Sequence, residues 1–142
     1  MTPAGDRGTA LLFFPAALLV MVVLASVTID LARLHLGQRQ ADDLAAATAN
    51  DAVTVGLDET AIRSGDGYHL DVTRVDAVVA GHLARVDRST LRGVTATSSV
   101  QGARSVTVTV TARVPLGFAR AVPGTPAAVG IRTIATATAR LR

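Results

Sequence analysis

The chain has 142 residues, 49% of them apolar but only 3% aromatic, so its apolar content is mainly Ala, Val and Leu. It contains neither Cys nor Lys, which excludes disulfides, thiolate metal sites and lysine nucleophiles. The net charge of +3 hides a division: residues 1–87 carry six Arg and 11 acids, whereas residues 88–142 carry eight Arg and no acid, giving −5 and +8.

No charged residue occurs between Arg7 and Asp30. The uncharged, mainly apolar run of 20 residues, 10–29, spans about 30 Å as a helix, the thickness of a bilayer's hydrocarbon core. This predicts a single membrane-spanning helix, preceded by a short tail of residues 1–9. A cleaved signal sequence is the rival reading; the run is too long for its apolar region, and no small-residue cleavage site follows. Ser26 and Thr28 can bond to carbonyls of the preceding turn. Pro15 either kinks the helix or marks its regular start. Flanking charge (Arg7 and the amine before, Arg33 and Arg39 after) mildly favours a cytoplasmic C-terminal side.

Helical pattern continues through residues 30–56 as a stalk, ending near Val55 with Gly56 as a cap. Leu31, Leu34, Gln38, Ala41, Ala45, Thr48 and Ala52 recur at spacings of three and four, which puts them on one face. Such a small-residue stripe means close approach of another element. Two partners satisfy it: the chain's own sheet, or helices of other subunits.

Arg7-Gly-Thr-Ala10, the apolar run, Ile29-Asp-Leu-Ala-Arg-Leu34 and Arg39-Gln-Ala-Asp-Asp-Leu-Ala-Ala-Ala47 together resemble the N-terminal region of TadE/TadG-like proteins. These belong to the Flp (tight adherence, Tad) pilus assembly system, related to type IV pili. The resemblance covers roughly residues 6–50 and includes the Asp30-x-x-Arg33 element. It implies a cytoplasmic N-terminus, an extracytoplasmic C-terminal domain, and partners among pilus or secretion assembly proteins through the Ala-rich stalk. In related pilins a peptidase cleaves after a Gly, and a Glu follows at the fifth mature position. The matching bond here is Gly8–Thr9, but the fifth residue would be Phe13. The resemblance therefore implies an uncleaved anchor rather than a pilus subunit.

Residues 57–142 are expected to form a small α+β domain. Asp58 opens a short turn through Arg63, and Ser64-Gly-Asp-Gly67 is a loop. Asp71 caps a second helix to about Asp87, with Val72, Val75, Val78, Val79, Leu83 and Val86 as its apolar face. The period then changes to two. Strands are expected at 93–100, 105–114 and 129–139, with a turn at 101–104 and a proline-rich loop at 115–126. Val106, Val108, Val110, Ala112 and Val114 share one face of the central strand. The expected assembly is an antiparallel sheet of about three strands covered by the helices, a pilin-like arrangement.

No catalytic or metal-binding constellation is present in the pattern. His35, His69 and His82 lack ligand spacing, and the acid pairs Asp42-Asp43 and Asp58-Glu59 are explained as solvated faces or caps. Gly65-x-Gly67 lacks a phosphate-loop context. No cofactor is expected. The basic half offers Arg104, Arg113, Arg132 and Arg140 to an anionic partner, either an envelope polymer or lipid headgroups. Nucleic acid is disfavoured, since Phe118 is the sole aromatic there for base stacking.

Overall fold

A computed structural model describes residues 7–65, 67, 69–87, 89–119 and 123–139; for 7–12, 60 and 62 the backbone alone is described. The class is α+β. Helix α1 runs Arg7–Val55, α2 is Glu59–Ser64 and α3 is Val72–Arg85. Strands β1 (Arg92–Gln101), β2 (Ser105–Pro115) and β3 (Ala128–Thr138) form one antiparallel sheet in the order β1-β2-β3. The strands match the expected ones to within a residue at each end.

At 49 residues, α1 is about 74 Å long. Pro15 lies inside it, not at its start. Its lower part stands free: Phe13, Phe14, Leu18, Leu19, Met21 and Leu24 are all more than half exposed. No residue of its most apolar 18-residue window is buried within the chain. This distinguishes it from the core helix of a globular protein, which buries its apolar stripe. Ser26 and Thr28 donate to the carbonyls of Val22 (2.6 Å) and Leu24 (2.9 Å), so the run exposes no unpaired hydroxyl.

The upper part of α1 is one wall of the core rather than a projecting stalk. Ala41, Ala45, Thr48, Ala49, Ala52 and Val53 are buried against the inner face of the sheet, where Val106, Val108, Val110, Ala112 and Val114 are also buried. The alternation of Val with Thr in β2 creates that face directly. Small side chains on the helix let the valines approach its backbone. The boundary expected at residues 56/57 therefore does not separate two packing units. Of the two partners open to the stripe, the chain's own sheet occupies it. Leu31, expected on the same stripe, is 61% exposed below it.

Helix α3 packs on the side of α1 and β1, burying Val75 and Val79. Asp71 caps it by accepting the Thr73 N–H at 2.8 Å, as expected. Its apolar face is narrower than the pattern implied, since Val72 is 56% exposed. It also ends at Arg85, before Asp87. Val86 is extended, and the Asp87 carboxylate instead bonds the backbone N–H and the hydroxyl of Ser89. That local turn competes with another helical turn and holds the Asp87 pKa below its ordinary value. Gly56 closes α1 by donating to the Ala52 carbonyl at 2.9 Å, without a positive φ. Glycine is required there by space: a Cβ would meet Ala52 O and the Val75 side chain.

Candidate functional site

Two constellations stand out, both at the anchor-proximal end of the folded part. The first is built on Asp30, the residue that ends the charge-free run. Its side chain is turned inward and only 9% exposed. The loop after β2 wraps around it. Oδ1 accepts the Gly117 N–H at 2.8 Å, Oδ2 accepts the Ala119 N–H at 2.9 Å, and the Phe118 N–H lies 3.0 Å from Oδ2 and 3.3 Å from Oδ1. Three successive amides converging on a carboxylate form an anion nest. Desolvation alone would raise the Asp30 pKa. The bonds from Ala119, Gly117 and Phe118 and the nearby Arg33 guanidinium outweigh it, so the pKa lies below the ordinary 3.8 and the group is ionised at neutral pH.

Arg33 follows Asp30 by one helical turn. A Cβ at position 117 would meet its guanidinium, the mobile end of a long exposed side chain, so the loop passes close to both residues. The expected Asp30-x-x-Arg33 element is thus a joint between helix and loop. Its partners lie 87 to 89 residues away in sequence, and nothing local to the motif names them. Beside the joint, an apolar groove of about 530 Å³ runs between the helix at Val22, Val23 and Val27 and a wall made by Leu116 and Phe118 of the loop with Val129 of β3.

About two turns above Asp30, Gln38 Nε2 donates to Thr133 Oγ1 at 3.0 Å and to Asp42 Oδ1 at 3.1 Å, and the Thr133 hydroxyl also donates to Asp42. This half-buried network ties α1 to β3 and gives the inner-facing Thr133 its partners. It also explains Asp42, the first acid of the Asp42-Asp43 pair.

The second constellation is cationic. In the sheet register Arg92 is the direct partner of Arg113, and Arg132 opposes Thr111, one diagonal step away. Directly opposed residues share a face, so all three lie on the outer face, where each is exposed. Among the described residues they make no ion pair. Arg113 and Arg132, with Gly93, Thr95, Thr111 and Gly130, line a shallow depression. The cluster sits at the sheet end from which β2 leads into the Asp30 loop. Arg104 lies in the β1–β2 turn, about 30 Å away by strand rise. Arg140 lies outside the described residues. Of the arginines that the sequence offers to an anionic partner, the strand register brings Arg113 and Arg132 together with Arg92 and leaves Arg104 at the other end of β2.

The remaining candidates are dispersed. Gly8 and Thr9 fall at the start of α1, where the backbone alone is described. His35 is exposed on α1, and His82 Nε2 lies 2.8 Å from Asp51 Oδ2, linking α3 to α1. Among the described residues no group of three His, Asp or Glu is placed to hold a metal ion. Apart from the exposed Ile134, the rest of the outer sheet face is mainly a polar ladder, with Thr95–Thr111, Ser105–Thr138 and Thr107–Thr136 hydroxyl pairs at 2.6, 2.9 and 2.9 Å.

The site and fold define an α+β head whose first helix continues as an uncovered apolar segment long enough to cross a membrane. In comparison with known proteins, no family model, no curated protein and no solved structure matches the chain.

Proposed function

We propose that the chain is a non-enzymatic, single-pass membrane component of a Flp/Tad-type pilus assembly or secretion apparatus, with its N-terminus in the cytoplasm and its head outside. The observation that carries this is one continuous helix that is bare and apolar over residues 13–29, then walls the core of a folded head. A bilayer supplies the missing cover for the bare part. The resemblance of residues 6–50 to TadE/TadG-like proteins supplies the apparatus and the orientation. In this reading Asp30 and Arg33 lock the head at a fixed height above its anchor. A chain that only tethered its head would need no such joint; a scaffold that presents a surface at a set distance does. Contacts with other assembly proteins would use the exposed side of the upper helix, around Arg39, Asp43, Ala46, Ala47 and Asn50, since the opposite stripe is filled. Deletion in the native host should abolish pilus assembly or secretion. Unchanged piliation, adhesion and secretion would refute the assignment.

A second reading is favoured by Arg92, Arg113 and Arg132: a tethered module that holds an anionic envelope polymer. Three guanidinium groups on one face, with no ion pair among the described residues, give a site for carboxylate or phosphate groups. The test is binding of the full chain in nanodiscs to cell-wall fractions over a salt series. Salt-sensitive retention lost on replacing Arg113 and Arg132 by Gln supports it, and retention unaltered by those changes refutes it.

A further inference from the structure

We infer that residues 116–119, the part of the loop that follows β2 directly, are themselves seated in the membrane, and that an acyl chain of a bilayer lipid fills the groove between them and α1. The inference rests on the membrane-anchor reading above and adds a second contact between protein and lipid.

The groove's position carries the argument. One wall is Val22, Val23 and Val27, residues of the same bare run that only a bilayer would cover. Val22 lies about 12 Å below Asp30 along the helix axis. A membrane that shields Val22 therefore also reaches the opposite wall, where Leu116, Phe118 and Val129 face it. Phe118 is 45% exposed, a large apolar side chain left uncovered beside an uncovered helix. At about 530 Å³ the groove falls within the roughly 300–1,000 Å³ typical of small-ligand sites, which is ample for one hydrocarbon chain.

The loop backbone meets the constraint that lipid imposes. A non-helical segment near the hydrocarbon boundary must have its amides satisfied by protein. The amides of Gly117, Phe118 and Ala119 are satisfied by the Asp30 carboxylate. The same bonds keep that charge at the boundary and set the depth of Phe118. Arg33 stands beside the joint, on the side of the lipid headgroups.

The chain has no Trp, so a single introduced Trp reports one position. Phe118→Trp, Leu24→Trp and Ile134→Trp would each be placed in the full chain and reconstituted in vesicles of phosphatidylcholine and phosphatidylglycerol brominated along the acyl chain. The expected result is a blue-shifted, strongly quenched emission for Phe118→Trp, comparable with Leu24→Trp in the span. Ile134→Trp, on the outer sheet face, should emit as water-exposed and unquenched. Adding Asp30→Ala should release Phe118→Trp towards the Ile134→Trp behaviour. Quenching at Leu24→Trp without quenching at Phe118→Trp overturns the inference and leaves the anchor standing. A blue shift there without quenching means that protein, a second copy included, fills the groove, and also overturns it. No quenching at Leu24→Trp removes the anchor reading itself. Quenching of Phe118→Trp that survives Asp30→Ala overturns the role given to the carboxylate.

Discussion

Asp30 and Ala119 are 89 residues apart in sequence and 2.9 Å apart in space, carboxylate oxygen to amide nitrogen. That bond and its neighbours from Gly117 and Phe118 fasten the head's lower loop to the last residue before the bare helix. The one carboxylate accepts from all three successive amides. Asp30→Asn preserves shape but removes the charge and turns one terminal acceptor into a donor aimed at the amides. Amide hydrogen exchange at 117–119 is expected to accelerate, while exchange in β2 stays slow.

The same joint has a pH signature. The Asp30 pKa is lower in the folded chain than its ordinary 3.8. Its contribution is therefore complete above 3.8 and is withdrawn as pH falls from there through the folded-state value. Exchange at 117–119, followed in the wild-type chain from neutral pH to below 3.8 and corrected for intrinsic rates, should show protection that is flat and then declines. In Asp30→Asn the decline should be absent.

Two helical glycines make opposite predictions. A Cβ at Gly37 would overlap the buried Val114 side chain, whereas a Cβ at Gly81 meets open space. Gly37→Ala should destabilise the head by about 1–3 kcal/mol through overpacking. Gly81→Ala should stabilise it by about 0.5–1 kcal/mol, because alanine loses less backbone entropy on folding. Chemical denaturation of the full chain in detergent, followed by circular dichroism, checks both.

Among the described residues Leu91 is the largest fully buried side chain, set among Ala41, Ala112, Val114 and Ile131. Its buried neighbours are small or β-branched, and β2 and β3, which carry three of them, are paired without a register shift, so the site resists collapse. Leu91→Ala should cost about 2–5 kcal/mol in the same denaturation experiment. In a head of modest size that is a large share of the total.

How much of this was legible in the sequence depends on whether the signal was local. The Val-Thr alternation of β2 states its own period, and Asp71 announces a helix start by its chemistry. Ala41, Ala45, Thr48 and Ala52 announce a close contact, but the same stripe serves a sheet of the same chain or a helix of another. Only the folded topology decides that it is the sheet. Asp30 and Arg33 were visible as an element, yet their partners lie in a proline-rich loop whose path no periodicity predicts. Gly56 was legible as an end of helix, while its reason, the approach of Val75, was not. The end of α3 was missed because the Asp87–Ser89 turn competes with a helical pattern that continues through Val86.

The Arg92–Arg113 pair was illegible for the same reason, since it exists only in the strand register. It also sets stability against function. Directly opposed like charges destabilise a sheet, and opposite charges stabilise it, each by about 0.2–1 kcal/mol. Arg92→Glu should therefore raise stability by about that amount, an effect that fades at high salt as the charges are screened. If the cluster holds an anionic polymer, the same change should weaken retention on cell-wall fractions, because it puts a carboxylate among the guanidinium groups of Arg113 and Arg132. A cluster with no ligand would show the gain in stability without the loss of retention. Measuring both on one variant therefore separates a site maintained at the expense of stability from a charge pattern that serves no partner.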